Sequence, residues 1–152
     1  NYSGTTTFGS ASATTTVNRA NNMNNGNYVD YSFVSIPGFS LFSTYEGNGS
    51  LDGPFVYCGF RPALVIAKEV DDGGTNQDWI MVDNKRSPHN PSSKYLLANK
   101  TNIEADNTTI FDFLSNGFKV ARGGDAANFN ASGETYVYLA IAHNPFKYAT
   151  AR

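Results

Sequence analysis

The sequence is poor in cysteine, in charge and in long apolar runs, and each shortage excludes a class of protein. Cys58 is the single cysteine, so the chain contains no internal disulfide. Charged residues make up 16% of the chain, where an average soluble domain has roughly 25%. No apolar run approaches the roughly 20 residues of a transmembrane helix, and a net charge of -2 argues against a nucleic-acid-binding surface. The sequence therefore predicts neither membrane insertion nor a nucleic-acid partner.

Small polar residues take the place of the missing charge. Asn, Ser, Thr and Gly together supply 58 of the 152 residues, and they favour turns over helices. Hydrophobic residues still make up 40% of the chain and aromatic residues 14%, enough for a packed core. No segment of ten or more residues shows the periodicity of an amphipathic helix. This composition is typical of all-β proteins found outside cells.

Alternating and apolar segments predict eight short strands. They cover residues 28–36, 55–60, 63–70, 79–84, 95–98, 108–114, 118–121 and 136–143, and 95–98 also fits one helical turn. Residues 63–70 and 79–84 predict a hairpin, and Ser115-Asn116-Gly117 predicts a second, because Asn-Gly favours the positive φ of tight turns. The last strand is apolar on both faces, which indicates an interior position. The predicted fold is an all-β, antiparallel β-sandwich or jelly-roll-like domain with long polar loops.

Two segments of the chain resemble each other at an offset of 108 residues. The strand and turn at 28–39 align with residues 136–147, and the alignment matches a predicted inward set of Val29, Tyr31 and Phe33 with Val137, Leu139 and Ile141. On this interpretation residues 1–40 are the C-terminal part of a preceding repeat unit, and 41–152 form a complete unit. Chance similarity of two strands is the alternative. Tandem β units favour an elongated fibre or array over an enzyme.

Longer motifs resemble a known group of proteins. Residues 45–63, 114–119, 130–138 and 144–152 resemble segments that recur in tail-fibre and other virion structural proteins of tailed bacteriophages. The resemblance implies an extracellular protein of the virion surface, repeated in tandem, with Arg152 as a natural C-terminus. It implies no known ligand and no catalytic residue.

The residues themselves offer little catalytic chemistry. The sequence contains none of the common nucleophile, zinc or phosphate-binding motifs, so no enzyme activity, catalytic residue or cofactor is predicted. The two histidines, His89 and His143, read most simply as surface residues, and Cys58 as a small core residue. Asp71, Asp72 and Asp78 offer oxygen ligands to calcium, but their spacing does not match an EF-hand loop, and an ordinary hairpin tip is the simpler explanation.

Glycan binding suits the composition better than catalysis does. Aromatic faces stack on the C–H surfaces of sugars, and Asn and Asp side chains hydrogen-bond their hydroxyl groups. The polar loops at 45–54, 71–78, 85–93 and 123–133 are the predicted ligand surface, and the competing interpretation is that they face other subunits or solvent. The candidate ligand-facing residues are Asn48, Asp52, Asp71, Asp72, Asp78, His89, Asn90 and Asn128.

The sequence thus predicts a non-enzymatic structural protein of a phage virion surface, as a tail-fibre, spike or capsid-decoration module. It predicts a homo-oligomer, with a trimer as the leading expectation, that contacts other virion proteins. A receptor-binding lectin-like module that recognises a host surface glycan is the alternative. A polysaccharide depolymerase is a third, with no acid and base residues that the sequence can name.

Overall fold

A computed structural model describes residues 33–70, 78–120 and 129–145. The chain divides into two compact units, Asn1–Ser32 and Phe33–Arg152, and the described residues all belong to the second. They form eight strands and no helix, so nothing helical in these ranges could span a membrane. The strands are β1 (Ser40–Glu46), β2 (Phe55–Tyr57), β3 (Pro62–Glu69), β4 (Ile80–Asp83), β5 (Ser92–Leu97), β6 (Ala105–Leu114), β7 (Gly117–Val120) and β8 (Thr135–Ala142).

All neighbouring strands pair antiparallel, in the order β1-β8-β3-β4-β5-β6-β7-β2. The first half of this order is β1, β8, β3, β4 and β5, and the second half is β5, β6, β7 and β2. β5 belongs to both halves, because it pairs with β4 on one side and with β6 on the other. The two halves pack face to face: the ring of Phe118 on β7 lies 6.0 Å from Tyr45 on β1 and 5.3 Å from Tyr138 on β8. The prediction of an all-β, antiparallel, sandwich-like fold is confirmed.

The core between the two halves is rich in aromatic rings. Tyr136 and Phe118 are fully buried, and the ring of Tyr136 stacks on Tyr45 at 4.9 Å with 9° between the ring planes. Cys58 is 8% exposed and belongs to this core, as predicted. Burial raises the pKa of its thiol to about 11, so the reactive thiolate is disfavoured.

Both predicted hairpins form, but Gly117 acts differently from the prediction. β3 pairs with β4, and β6 pairs with β7 through a two-residue loop, Ser115-Asn116. Gly117 does not adopt a positive φ. It is the first residue of β7, where a Cβ would lie 2.1 Å from the Val56 carbonyl oxygen. Close approach of β2 therefore requires the glycine, whereas the turn does not.

The first strand that the structure describes was not predicted. β1 begins at Ser40, in a segment without clear alternation, and the predicted loop at 45–54 begins only after Glu46. Of the predicted strand 28–36, residues 28–32 lie outside the described residues, and Phe33–Ser35 form no strand. They run beside β1 instead, where the Phe42 N–H donates to Ser35 Oγ at 2.9 Å and Ser40 Oγ donates to the Val34 carbonyl at 2.8 Å.

The inward face of β8 is the opposite of the predicted one. β8 is paired on both sides, by β1 and β3, as expected for an interior strand. The side chains in the core cluster are Tyr136, Tyr138, Ala140 and Ala142, whereas Val137, Leu139 and Ile141 lie on the opposite face, where Val137 and Ile141 are half-buried and Leu139 is 6% exposed. The sequence could not show which face of β8 points into the core, because the residues on both faces are apolar. The proposed matching set begins outside the described residues and ends at Phe33, which is 57% exposed, so the repeat and its 40/41 boundary stay predictions.

Candidate functional site

The predicted ligand loops lie at two opposite ends of the sheet, because of the directions of the strands that they join. Glu46 pairs with Thr135, and the Gly133 N–H donates to the Gly47 carbonyl at 2.9 Å, so residues 47–54 and the described part of the last loop, 129–133, share one end of the sheet. Residues 85–91 follow Asp83, which pairs with Leu64 at the opposite end. The predicted loops therefore do not form one continuous surface.

An asparagine pair joins the two loops at the first end. Asn130 is fully buried. Its Nδ2 donates to Asn48 Oδ1 at 2.9 Å and to the Ser50 carbonyl at 2.8 Å, and its Oδ1 accepts from the Asn48 N–H at 2.8 Å. Asn48, a predicted ligand residue, thus has a structural role. Asn130 was not among the predicted ligand residues, and its fully buried side chain serves the loop structure.

Two more of the predicted ligand residues, Asp52 and Asp78, form ion pairs with lysines. The carboxylate of Asp52, whose side chain is 83% exposed, pairs with Lys119. Asp78 accepts from Lys100 Nζ at 2.6 Å and from Asn99 Nδ2 at 2.9 Å, and these hydrogen bonds hold the pKa of its carboxyl below the ordinary value. Asp71, Asp72 and Asn128 lie outside the described residues. Within the described ranges no three His, Cys, Asp or Glu side chains cluster as a metal site, and the calcium site stays a prediction.

The loop at 85–93, at the opposite end of the sheet, contains two predicted ligand residues, His89 and Asn90, with different environments. His89 is exposed. Asn90 Nδ2 donates to the Phe113 carbonyl at 3.0 Å, and Asn90 Oδ1 accepts from the Phe113 N–H at 3.0 Å. The side-chain amide therefore extends the hydrogen bonding of β6 as a peptide group would. This is a structural role, and of the two residues only His89 is left to face a ligand.

An open cleft lies at the same end of the molecule. It measures about 570 Å³ and is lined by Ala63, Leu64, Met81, Asp83, Asn84, Lys85, His143 and Asn144. Asn84 Nδ2 lies 2.8 Å from His143 Nδ1, within hydrogen-bonding distance. Asn84 Oδ1 is buried and accepts no hydrogen bond from the described residues. This polar set over Leu64 and Met81 suits hydrogen bonding to a small polar molecule, and His143 was not among the predicted ligand residues.

Two further surfaces are apolar. The aromatic pair, Phe55 and Tyr57, is 48% and 65% exposed on β2, on either side of the buried Val56. The outer apolar face is the side of β1, β8, β3, β4 and β5 that points away from the core between the two halves; on it Phe42 is 45% exposed, Leu139 is buried at 6% and the other apolar side chains are half-buried. It comprises Phe42, Leu64, Ile66, Met81, Leu96, Val137, Leu139 and Ile141. Neither surface could be predicted from the sequence, because strand pairing determines which side chains are exposed.

Comparison with known proteins gives one match. No curated protein and no solved structure matches the chain significantly. The model of a family described as a domain of unknown function, DUF7483, matches residues 1–145. That match includes every described residue and continues across the predicted boundary at 40/41. The chain therefore belongs to the DUF7483 family.

Proposed function

We propose that this chain is a non-enzymatic module of a tailed-phage virion surface, in a tail fibre, a spike or a capsid decoration, and that it works by assembling with other protein subunits. The resemblance of residues 45–63 and 114–119 to phage virion proteins supports the setting. The outer apolar face supports the assembly and is the observation that carries the proposal. A homo-oligomer, with a trimer as the leading expectation, and contacts to other virion proteins follow from it.

The outer apolar face crosses all five strands of its half of the fold. Phe42, Leu139, Ile66, Met81 and Leu96 lie opposite one another in a single row from β1 to β5. An antiparallel sheet that faces water alternates apolar and polar residues, so that its outer side is polar. Here both sides of β8 are apolar. Contact with another subunit would remove this outer surface from water, which stabilises an assembly by roughly 25 cal/mol for each Å² of apolar area buried.

The mass of the protein in solution tests this proposal. We expect wild-type protein to sediment as an oligomer and the F42S/M81S variant to sediment as a monomer with an unchanged circular dichroism spectrum. The matched control is L51S/I103S, which changes two exposed apolar residues outside the outer apolar face (77% and 90% exposed) and should remain an oligomer. A stable wild-type monomer from which residues 1–40 can be removed without loss of the fold would contradict the proposal.

A receptor-binding lectin-like module is the second candidate function. The observation in its favour is the pair of loops at 47–54 and 129–134, which buried Asn130 joins. Such loops lose little conformational entropy when a ligand binds. The polysaccharide depolymerase remains the third candidate, and release of reducing ends from a host polysaccharide would support it.

A further inference from the structure

The aromatic pair lies on the edge strand β2, where the outer side chains alternate with a buried valine. Val56 is 6% exposed and packs in the core, while Phe55 and Tyr57 point away from it. Residues i and i+2 of a strand lie roughly 6.5–7 Å apart on the same face. The two rings therefore occupy adjacent positions on one surface.

A glycine lies beside each ring. A Cβ placed on Gly117 would be 3.2 Å from Phe55 Cε2, and a Cβ placed on Gly59 would be 3.7 Å from Tyr57 Oη and 3.9 Å from the ring carbons Cε1 and Cζ. Any larger residue would crowd Phe55 and would contact Tyr57. Since both positions lack a side chain, neither ring is covered from that side.

Charged groups of both signs line the surface next to Phe55. Lys119 lies opposite Phe55 on β7, and Asp112 lies opposite Lys119 on β6, so the three share one face. Asp52 pairs with Lys119 from the preceding loop. Two carboxylates and one ammonium disfavour a polyanionic ligand, while a polyhydroxyl ligand can donate to the carboxylates and accept from the lysine.

The size of the surface favours a small ligand over a protein. The two rings together expose roughly 200 Å², whereas a specific protein interface buries about 800 Å² on each partner. β2 is also a poor template for an added strand, because it has three residues and lies between Pro54 and Gly59, whose φ is +77°. Sugar rings match this surface, since they have apolar C–H faces and hydroxyl groups at their edges.

We infer that Phe55 and Tyr57 form a stacking platform for a neutral, hexose-containing glycan, with Asp52, Asp112 and Lys119 binding its hydroxyl groups. The inference rests on the lectin-like alternative above and is independent of the assembly proposal. It moves the binding surface from the loops to the outer side of β2, β7 and β6, and it retains Asp52 among the predicted ligand residues.

Native affinity electrophoresis in gels containing hydroxyethylcellulose, glycogen or galactomannan tests the platform. We expect at least one of these polysaccharides to retard the wild-type protein. The F55A/Y57A variant should bind it at least about tenfold more weakly, because it loses two stacking contacts. Y57F keeps the ring and should bind within about twofold of the wild type. L51A and I103A are the matched controls for removing an exposed apolar side chain, and each variant is checked by circular dichroism and thermal unfolding.

Each contrary result has a distinct meaning. If none of the three polysaccharides retards the wild type, both the lectin-like function and the platform are wrong. If F55A/Y57A is retarded as strongly as the wild type, the protein binds glycan elsewhere and only the platform is wrong. If F55A/Y57A changes the sedimenting mass and not the retardation, the rings contact a second copy of the chain, which also overturns the platform.

Discussion

Single buried polar residues determine the loop structure at one end of this molecule. Asn130 has no exposed surface, yet both polar atoms of its side chain have partners in the facing loop. Its carbonyl also accepts from the Gly49 N–H at 2.9 Å. A buried polar group is costly unless it is hydrogen-bonded. The asparagine therefore stabilises one arrangement of the two loops over others, because a different arrangement would leave its amide unpaired.

The N130D substitution tests this role. The introduced carboxylate would face two acceptors, Asn48 Oδ1 and the Ser50 carbonyl, so we expect the free energy of unfolding at pH 7 to fall by about 3 kcal/mol. The loss should shrink as pH falls from 7 towards 4, because a protonated carboxyl group can donate again and its folded-state pKa is raised. Urea unfolding at several pH values measures both effects. N48D, at an exposed position, is the control and should cost less; equal losses for the two variants would contradict the proposed role.

At the scale of elements, close backbone contacts limit which residues the strands can contain. β2 is short, and β7 is its single partner among the described strands; the two strands approach so closely that Gly117 has no room for a Cβ. β8 depends on side-chain size in another way: Ala140 and Ala142 are buried among the large rings of neighbouring positions. Small residues thus determine where the aromatic strands can pack.

The G117A substitution should separate this packing effect from a turn effect. The added methyl group would clash with the Val56 carbonyl, so β2 must shift, and we expect a loss of about 3 kcal/mol or more in the free energy of unfolding. G133A is the matched control: its φ is +82° and a Cβ there has no neighbour within 4 Å, so it should cost only about 1 kcal/mol. Chemical denaturation compares the two. A smaller loss for G117A than for G133A would show that β2 does not require the glycine.

At the scale of the whole molecule, folding the strand order back at β5 buries several tyrosines together. Tyr45 and Tyr136 stack, Tyr138 lies 6.1 Å from Tyr45, and Tyr136 Oη also donates to Glu69 Oε2 at 3.2 Å. Burial raises the pKa of Tyr136 to about 12 and raises the pKa of Tyr45 and Tyr138 as well. Since a phenolate is poorly tolerated in this core, the fold becomes sensitive to alkali.

We expect the free energy of unfolding to fall above pH 10. The unfolded tyrosines lose their protons near pH 10, while folded Tyr136 keeps its proton until about pH 12. The stabilisation is therefore complete below pH 10 and is lost as pH rises through 12, at about 1 kcal/mol per buried tyrosine between pH 10 and 11. Urea unfolding at pH 8, 10 and 11 measures the decline. The Y136F variant should decline less steeply, and an identical decline in both proteins would contradict the assignment to the tyrosine.

Much of the local structure could be predicted, because it depends on neighbouring residues. The β3–β4 and β6–β7 hairpins, the interior position of β8 and the buried Cys58 all follow from alternation, turn residues and apolar runs. β1 could not be recognised, since its pattern is irregular and its pairing partner lies near the other end of the chain. Asn48 and Asn90 were predicted as ligand residues, and their hydrogen bonds to distant parts of the chain could not be predicted, because a loop asparagine gives no sign of a distant partner.

The sequence by itself determined the class of this protein: a low-charge, aromatic-rich chain without helical periodicity must form strands around an apolar core. Only the tertiary structure decided which face of β8 lies inside, which loops meet, and that Phe55 and Tyr57 remain exposed. The physical reason is that alternation along a strand assigns residues to two faces. When both faces are apolar, alternation does not rank them, so it cannot show which face is buried. The ranking comes from strands that are distant in sequence: Phe118 of β7 and Tyr45 of β1 pack with Tyr136 and Tyr138 on one face, whereas Val137 and Ile141 on the other face stay half-buried.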